Sequence, residues 1–537
     1  MNRARNGNVR WASVAIALVA SLGAGCQQNL RKTVAAIDSA YSAGEYDRAA
    51  KRAETALADN GDDAQDRLVW LLESGRTQQA AGGIDGSITA YDRAVDEVRP
   101  YLDSKAEATI TEALVTTAVN QTMRIYRGTP PERIMLCTLQ GANLLQKGDL
   151  ARARVELNRA ADFQQDAVQR HAKDIASAQE KSDKEWKQKG WNQAIAANAT
   201  ESVRKAQAEQ TAPAPAAPEP TASTATPAPD APAPAAPAAT TDPATRGYAS
   251  FANPFTSYLR AVFLVATSSE SGDRQNARAD LRAVQEMMPG HAAAAADIAL
   301  IDAGTAHGSA AVTWVFFLTG MAPDYKEFRL DIPIPVGRVN YVSAAFPILR
   351  KHGDFVSTCA VAGEGGARSE LLADVDAMVE TDFDSRLPLI VTQEIISSAA
   401  KAAATWAASQ AAYNSSSNST AGILVQIAGI AYQAASTAAD LRCWSTMPKQ
   451  VAVLRVPTPA DGRLELVREG GAPLCTLDVR AGAPNIAFVT LPSAKAVKPS
   501  ILMYRGGEPG AAPSPVPPAA PAAAAPSPLT VTEGATQ

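Results

Sequence analysis

Gly148-Asp-Leu-Ala-Arg-Ala-Arg-Val-Glu-Leu-Asn-Arg-Ala160 carries the pattern that decides the fold. A glycine is followed by an apolar residue (Leu150), a small residue (Ala153), a larger apolar residue (Leu157) and a second alanine (Ala160). The last three recur at three- and four-residue spacing, which puts them on one face of a helix. The same order appears at Gly44, Tyr46, Ala49, Ala53 and Ala56, and at Gly82, Ile84, Ser87, Tyr91 and Ala94. A later copy runs Gly272, Ala277, Leu281. Glycine and proline are otherwise sparse between residues 30 and 205, so this stretch reads as helix nearly throughout. A motif that recurs along such a stretch predicts an array of paired helices rather than a generic bundle.

The repeated order resembles the tetratricopeptide repeat. That resemblance implies that Gly44, Gly82, Gly148 and Gly272 close the turns between paired helices. It implies that Ala49, Ala153 and Ala277 allow those helices to approach closely, and that Tyr91 fills the gap between them. It covers mainly the second half of each unit. The aromatic and Leu-Gly signals of the first helix are patchy, and the interval before the third unit is long.

Residues 206–246 are dominated by Pro, Ala and Thr, as in Thr211-Ala-Pro-Ala-Pro. Such composition buries too little apolar surface to offset its ordering entropy, and it predicts a semi-stiff disordered linker. Residues 507–537 form a tail of the same kind. Helix resumes at Asn253-Pro254-Phe255, so the linker reads as an insertion in one helical domain comprising residues 26–205 and 247–310. From residue 311 to 506 the pattern is β-rich. Val312 to Leu318 is a continuous apolar run. Phe328 to Ile334 alternates, and Phe355 to Val361 is a further strand candidate. Short runs at 450–456, 464–467, 474–479, 486–491 and 501–504 are separated by Gly and Pro, which predicts an antiparallel meander or small sandwich. Residues 387–441 predict an inserted alanine-rich helical hairpin. The expected fold class is therefore α+β: a helical array followed by a smaller antiparallel β region.

Three arginines precede the apolar run Trp11 to Leu22, and Gly23-Ala24-Gly25-Cys26 follows it. This order predicts an export signal over residues 1–25. The apolar run is too short to span a bilayer. The site resembles the lipobox of bacterial lipoproteins, although Gly23 stands where leucine is usual. The resemblance implies lipidation of Cys26. Gln27 in place of aspartate implies sorting to the outer membrane, facing the periplasm. Several further stretches resemble a poorly characterised family of bacterial envelope lipoproteins with tetratricopeptide-like helices. They are Ile125 to Arg133, Gly148 to Glu156, Asn253 to Tyr258, Leu318 to Pro323 and Ala439 to Pro448. That family supplies no catalytic residues to carry over.

The net charge of −5 gives no electrostatic case for nucleic acid. The four histidines are scattered and pair with no ligand at metal spacing, and no phosphate loop or nucleophile elbow occurs. No cofactor, metal or catalytic residue is expected. The acidic run Asp374, Asp376, Glu380, Asp382, Asp384 reads as a solvated face. Cys137 reads as a small buried hydrophobe. A disulfide, where present, is expected between two of Cys359, Cys443 and Cys475. Arg442 and Trp444 are candidates for a recognition surface, since Trp beside Arg can form a stacked site. Arg152 and Glu156 are read as exposed. The leading functional expectation is a lipid-anchored, non-enzymatic adaptor that binds another envelope protein through its helical repeat surface. The alternative is an envelope enzyme or polysaccharide-binding factor with a site between the β region and the alanine-rich hairpin.

Overall fold

Three of the expected turns are made by glycines in the left-handed region, with φ of +77° at Gly44, +84° at Gly82 and +75° at Gly148. Side chains with a Cβ are strained there. These turns join α1 (29–42) to α2 (Tyr46–Asn60), α3 (Arg67–Ala81) to α4 (Ile84–Val98), and α5 (Pro130–Lys147) to α6 (Leu150–Asp166). The N–H groups of Gly82 and Gly148 return to carbonyls of the preceding helical turn. Then come α7 (Ala172–Gln188) and α8 (Gln193–Thr211), followed by a fourth hairpin of α9 (Pro254–Thr267) and α10 (Ser271–Met287). Gly272 makes no turn here: it lies in the first turn of α10 and is not left-handed. The chain bends instead at Ser268, whose backbone is extended.

The computed structural model describes residues 29–102, 124–211, 252–268, 270–304, 311–334, 341–363, 366–415 and 438–507. Its fold is mixed α and β, with a packed helical array at the N-terminal side and sheets that follow it. Residues 1–28, most of the expected linker and nearly all of the expected tail lie outside the described residues. Within 206–246, residues 206–211 are the end of α8 rather than linker. Lys205-Ala-Gln-Ala-Glu-Gln210 are mostly good helix formers, and the first proline comes only at Pro213.

Close approach explains why small residues recur in the hairpins. A Cβ on Gly75 would stand 2.2 Å from the Tyr91 ring, and one on Gly141 would stand 2.8 Å from Leu157. Ala49, Ala153 and Ala277 are fully buried. Gly75→Ala is expected to overpack the α3–α4 contact and to lower stability by roughly 1–3 kcal/mol, read as a drop in the urea midpoint. An unchanged midpoint would mean that the Tyr91 ring is free to move aside.

In three of the hairpins the two helices have different surroundings. Burial takes in twelve of fifteen residues in α3, fourteen of eighteen in α5 and twelve of fourteen in α9. In their partners α4, α6 and α10 the counts are seven of fifteen, five of seventeen and four of seventeen, and α2 has five of fifteen. The first set is therefore an inner layer enclosed on both sides, and the second is an outer layer with one buried stripe. Ion pairs tie neighbouring hairpins together: Arg152 to Asp92 and Arg154 to Asp273, both at 2.7 Å. Thr138 and Thr256 hydroxyls meet at 2.7 Å, so α9 packs on α5 although α7, α8 and residues 212–251 intervene in sequence.

Behind the inner helices lies a five-stranded sheet. The chain continues through α11 (Ala292–Asp302), β1 (Val312–Thr319), β2 (Asp324–Ile332), β3 (Val342–Arg350), β4 (Cys359–Val361), β5 (Glu370–Asp374) and α12 (Val375–Ser415). It ends with β6 (Gln450–Pro457), β7 (Arg463–Arg468), β8 (Pro473–Asp478), β9 (Asn485–Leu491) and β10 (Ser500–Arg505). The large sheet has the order β10-β9-β1-β6-β5. β1 is central and buried along its whole length, Thr313 and Thr319 included, as the apolar run Trp314 to Leu318 requires. Trp314, Phe316 and Leu318 share a core with the inner helices, while Val315 and Phe317 face the three-stranded sheet β4-β7-β8. Phe316 touches Phe255 of α9 and Phe488 of β9, with ring centroids at 5.4 Å in both cases.

Several expectations need correction. β1 and β9 pair in parallel, so the region is not wholly antiparallel. The predicted strand at 355–361 shrinks to Cys359–Val361, while β3 and β5 were not anticipated. Pro347 breaks the strand signal of β3, yet it is accommodated in the two-stranded ribbon opposite Glu327. The alanine-rich helix begins at Val375, twelve residues before the expected start, and runs through Pro388 to Ser415. Residues 416–437 lie outside the described residues, and 438–441 are not helical. Among the described residues no helix is long and apolar enough to cross a membrane.

Candidate functional site

Arg442 and Trp444 are not on a surface. Their residue exposures are 6% and 1%, and they belong to a segment, 438–449, that joins the helical array to the sheets. The Arg442 guanidinium donates to Asp440, to Asp66, and to the carbonyls of Gln65 and Arg124. It also lies over the Tyr126 ring, 5.3 Å from the centroid. The Trp444 backbone N–H donates to Glu132 Oε1 at 2.7 Å, and its indole N–H donates to Thr446 Oγ1 at 3.1 Å. Glu132 in turn accepts from Tyr126 Oη and from the Thr129 N–H, and so completes a capping box at the start of α5. The Ala322 N–H donates to the Met447 carbonyl. Stretches 125–133, 318–323 and 439–448 thus meet at one place.

The same segment presents Ser445 to two carboxylates. Ser445 Oγ lies 2.5 Å from Asp38 Oδ1 and 2.9 Å from Glu73 Oε1. Glu73 has no exposed surface, and it also accepts from the Ser445 N–H at 2.8 Å and from Thr446 Oγ1 at 2.7 Å. Burial raises the pKa of both carboxyls, and Glu73 beside it raises that of Asp38 further. Asp38 faces a cavity of about 360 Å³ between α1, the start of β2, the end of β3 and residues 441–445. Its walls include Leu30, Val34, Val69, Met321, His352 and Cys443. Ligand pockets fall in this size range. Burial and the nearby carboxylates of Glu132, Asp324, Glu73 and Asp38 raise the Cys443 thiol well above its usual range. That environment is the opposite of the one that makes a reactive thiolate.

Asp38, Glu73 and Ser445 were missed in the sequence. Glu73 carried a signal: Leu68-Val-Trp-Leu-Leu-Glu-Ser-Gly-Arg76 places it in a helix that is apolar on several faces, where a charge is buried and needs partners. Asp38 and Ser445 carried none. The other candidates divide. Gly44, Gly82 and Gly148 make turns, Ala49, Ala153, Ala277 and Tyr91 sit at helix contacts, and Gly272 has neither role. Cys26 lies outside the described residues. Cys359, Cys443 and Cys475 are all free, as is buried Cys137. Cys359 and Cys475 lie on strands at opposite sides of β7, a strand's width too far apart to bridge. The acidic run is not a solvated face: Asp376 and Asp382 are buried and pair with Lys449 and Arg386, while Glu380 pairs with Lys351. Glu156 is also buried and pairs with Arg159. No known protein family, curated protein or solved structure matches the chain.

A pH dependence follows from the raised carboxyls. Asp38, Glu73 and Glu394 each bind a proton more tightly in the folded chain than in the unfolded one, and burial puts Glu394 at about 7 against Lys401's opposing charge. The stability they contribute is complete below the unfolded carboxyl range and is lost as pH rises through the folded values. For Glu394 that window runs from 4.5 to about 7. The urea midpoint is expected to be higher near about pH 5 than near about pH 8. A midpoint that climbs across this interval would contradict the burial of these groups.

Proposed function

We propose that the chain is a lipid-anchored, periplasm-facing adaptor that holds another envelope protein against the outer layer of its helical array. The observation that carries this reading is the inequality of the two helical layers. Arrays of tetratricopeptide-like hairpins usually offer a concave surface to partners. Here the helices that would line it, α3, α5 and α9, pack against this chain's own sheet. The free helical surface is the outer one, where Asp47, Arg48, Lys51, Arg93, Gln275 and Arg282 are exposed. The tetratricopeptide resemblance and the anchor both come from the sequence: the glycine turns and close-packed alanines support the first, and the leader before Cys26 supports the second.

Photo-cross-linkers placed at Arg48, Arg93 and Arg282 in the membrane-bound chain are expected to trap one envelope partner, and the same probe at exposed Arg463 on β7 is not. Reversing these three charges should abolish capture while changing stability by less than about 0.5 kcal/mol each. Cys26→Ser should move the chain out of the membrane fraction. Capture that survives all three reversals would overturn the adaptor reading. Normal processing and membrane retention of Cys26→Ser would overturn the anchor. The alternative, a polysaccharide-binding factor or enzyme working beside the β region, draws on the cavity next to β2 and β3. Retention of the chain on peptidoglycan, lost when the cavity is filled by Val34→Trp, would favour it.

A further inference from the structure

The cavity wall carries three arginines and two aspartates. Each arginine that lines it is bound to carboxylates: Arg31 to Glu327, Arg350 to Asp324, and Arg442 to Asp66 and Asp440. The hydrogen-bond partners described for Asp38 and Glu73 are hydroxyls and backbone N–H groups instead. Ser445 Oγ stands between the two carboxyls with a single hydrogen to give. Two ionised carboxylates cannot both accept it, so the close contact on both sides requires a carboxyl proton as well. Asp38 is the member of the pair that faces the cavity. The opposite part of the wall is apolar, with Leu30, Val34, Val69 and Met321.

We propose that this cavity binds a small organic ammonium ion, whose –NH3+ group replaces the Asp38 proton and whose hydrocarbon part lies against Leu30, Val34, Val69 and Met321. The exchange balances: the neutral Asp38 carboxyl becomes a carboxylate paired with the ammonium, and its proton leaves to water. An anion is disfavoured because the arginines are already committed to carboxylates. A metal ion is a poorer fit, since no group of three His, Cys, Asp or Glu side chains among the described residues is arranged to hold one. The groups facing Asp38 are Glu73 from α3, Asp324 from β2, Arg350 and His352 from the end of β3, and Cys443 beside Ser445. Burial lowers the pKa of His352 and raises that of Cys443, so each is biased toward its neutral form. Affinity for the ammonium ion therefore rises with pH as the carboxyl proton is lost more easily. This inference does not depend on the adaptor reading.

The test is isothermal titration calorimetry of n-butylammonium chloride into the full chain, in two buffers of different ionisation enthalpy. Saturable binding accompanied by proton release is expected, with tighter binding near about pH 8 than near about pH 6. Asp38→Asn is expected to weaken binding at least roughly tenfold and to abolish proton release. n-Butanol and sodium butyrate are expected not to bind. The comparison of the three probes on the unaltered chain stands even where Asp38→Asn folds poorly. The proposal is overturned by absence of n-butylammonium binding, by equal binding of n-butanol, by binding without proton release, or by a folded Asp38→Asn chain that binds as tightly as the original.

Discussion

Trp444→Ala is expected to lower the stability of the chain by about 3–5 kcal/mol, the range for truncating a large buried aromatic side chain. The indole is 1% exposed. It meets the Tyr91 ring edge-on at 5.9 Å and donates to Thr446, which in turn donates to Glu73. Truncation therefore opens a cavity between α4 and segment 438–449, and it loosens the hydroxyl that satisfies a fully buried carboxylate. A change of this size, measured by urea denaturation, separates the structural role of Trp444 from the recognition role that its sequence context suggested. Loss of partner capture with an unchanged midpoint would show that the side chain works on a surface after all.

Asp297→Ala is expected to cost a similar amount, about 3–5 kcal/mol, because it leaves a charge without its partner. Asp297, 1% exposed, accepts from Tyr258 Oη at 2.6 Å, Trp314 Nε1 at 2.9 Å and Arg455 Nε at 2.5 Å. One carboxylate thus joins α9, α11, β1 and β6. Asp297→Asn keeps the volume but loses the charge that Arg455 needs, so an intermediate loss is expected. A midpoint shift below about 0.5 kcal/mol for Asp297→Ala would mean that water serves these three donors equally well.

The parts of this fold that were legible in the sequence are those set by local chemistry. Gly44, Gly82 and Gly148 are needed for left-handed turns, and Leu150, Ala153, Leu157 and Ala160 mark one face of a helix. The apolar run of β1 marked a strand buried on both faces. What local chemistry does not encode is which side of a helix is covered. In α3, Ser74, Arg76, Thr77 and Gln79 are buried with the apolar residues, so these polar positions read as a solvent face although none exists. Arg442 and Trp444 stood out as a pair, but their orientation depends on Glu132 and Asp66, more than 300 residues earlier. Ser445 and Glu73 meet across 372 residues. The parallel pairing of β1 with β9 is hidden for the same reason, since Thr313 pairs with Asn485 across most of the β region.

The central claim is that the inner helices and the five-stranded sheet share one core. Native-state hydrogen exchange of the full chain, followed by mass spectrometry across a denaturant series, tests it most directly. The account predicts that amides of α3, α5 and α9 and those of β1 and β9 exchange only through the same global opening, with one common free energy and one denaturant slope. Helical array and sheet that open separately, with α3, α5 and α9 exchanging while β1 stays protected, would contradict it.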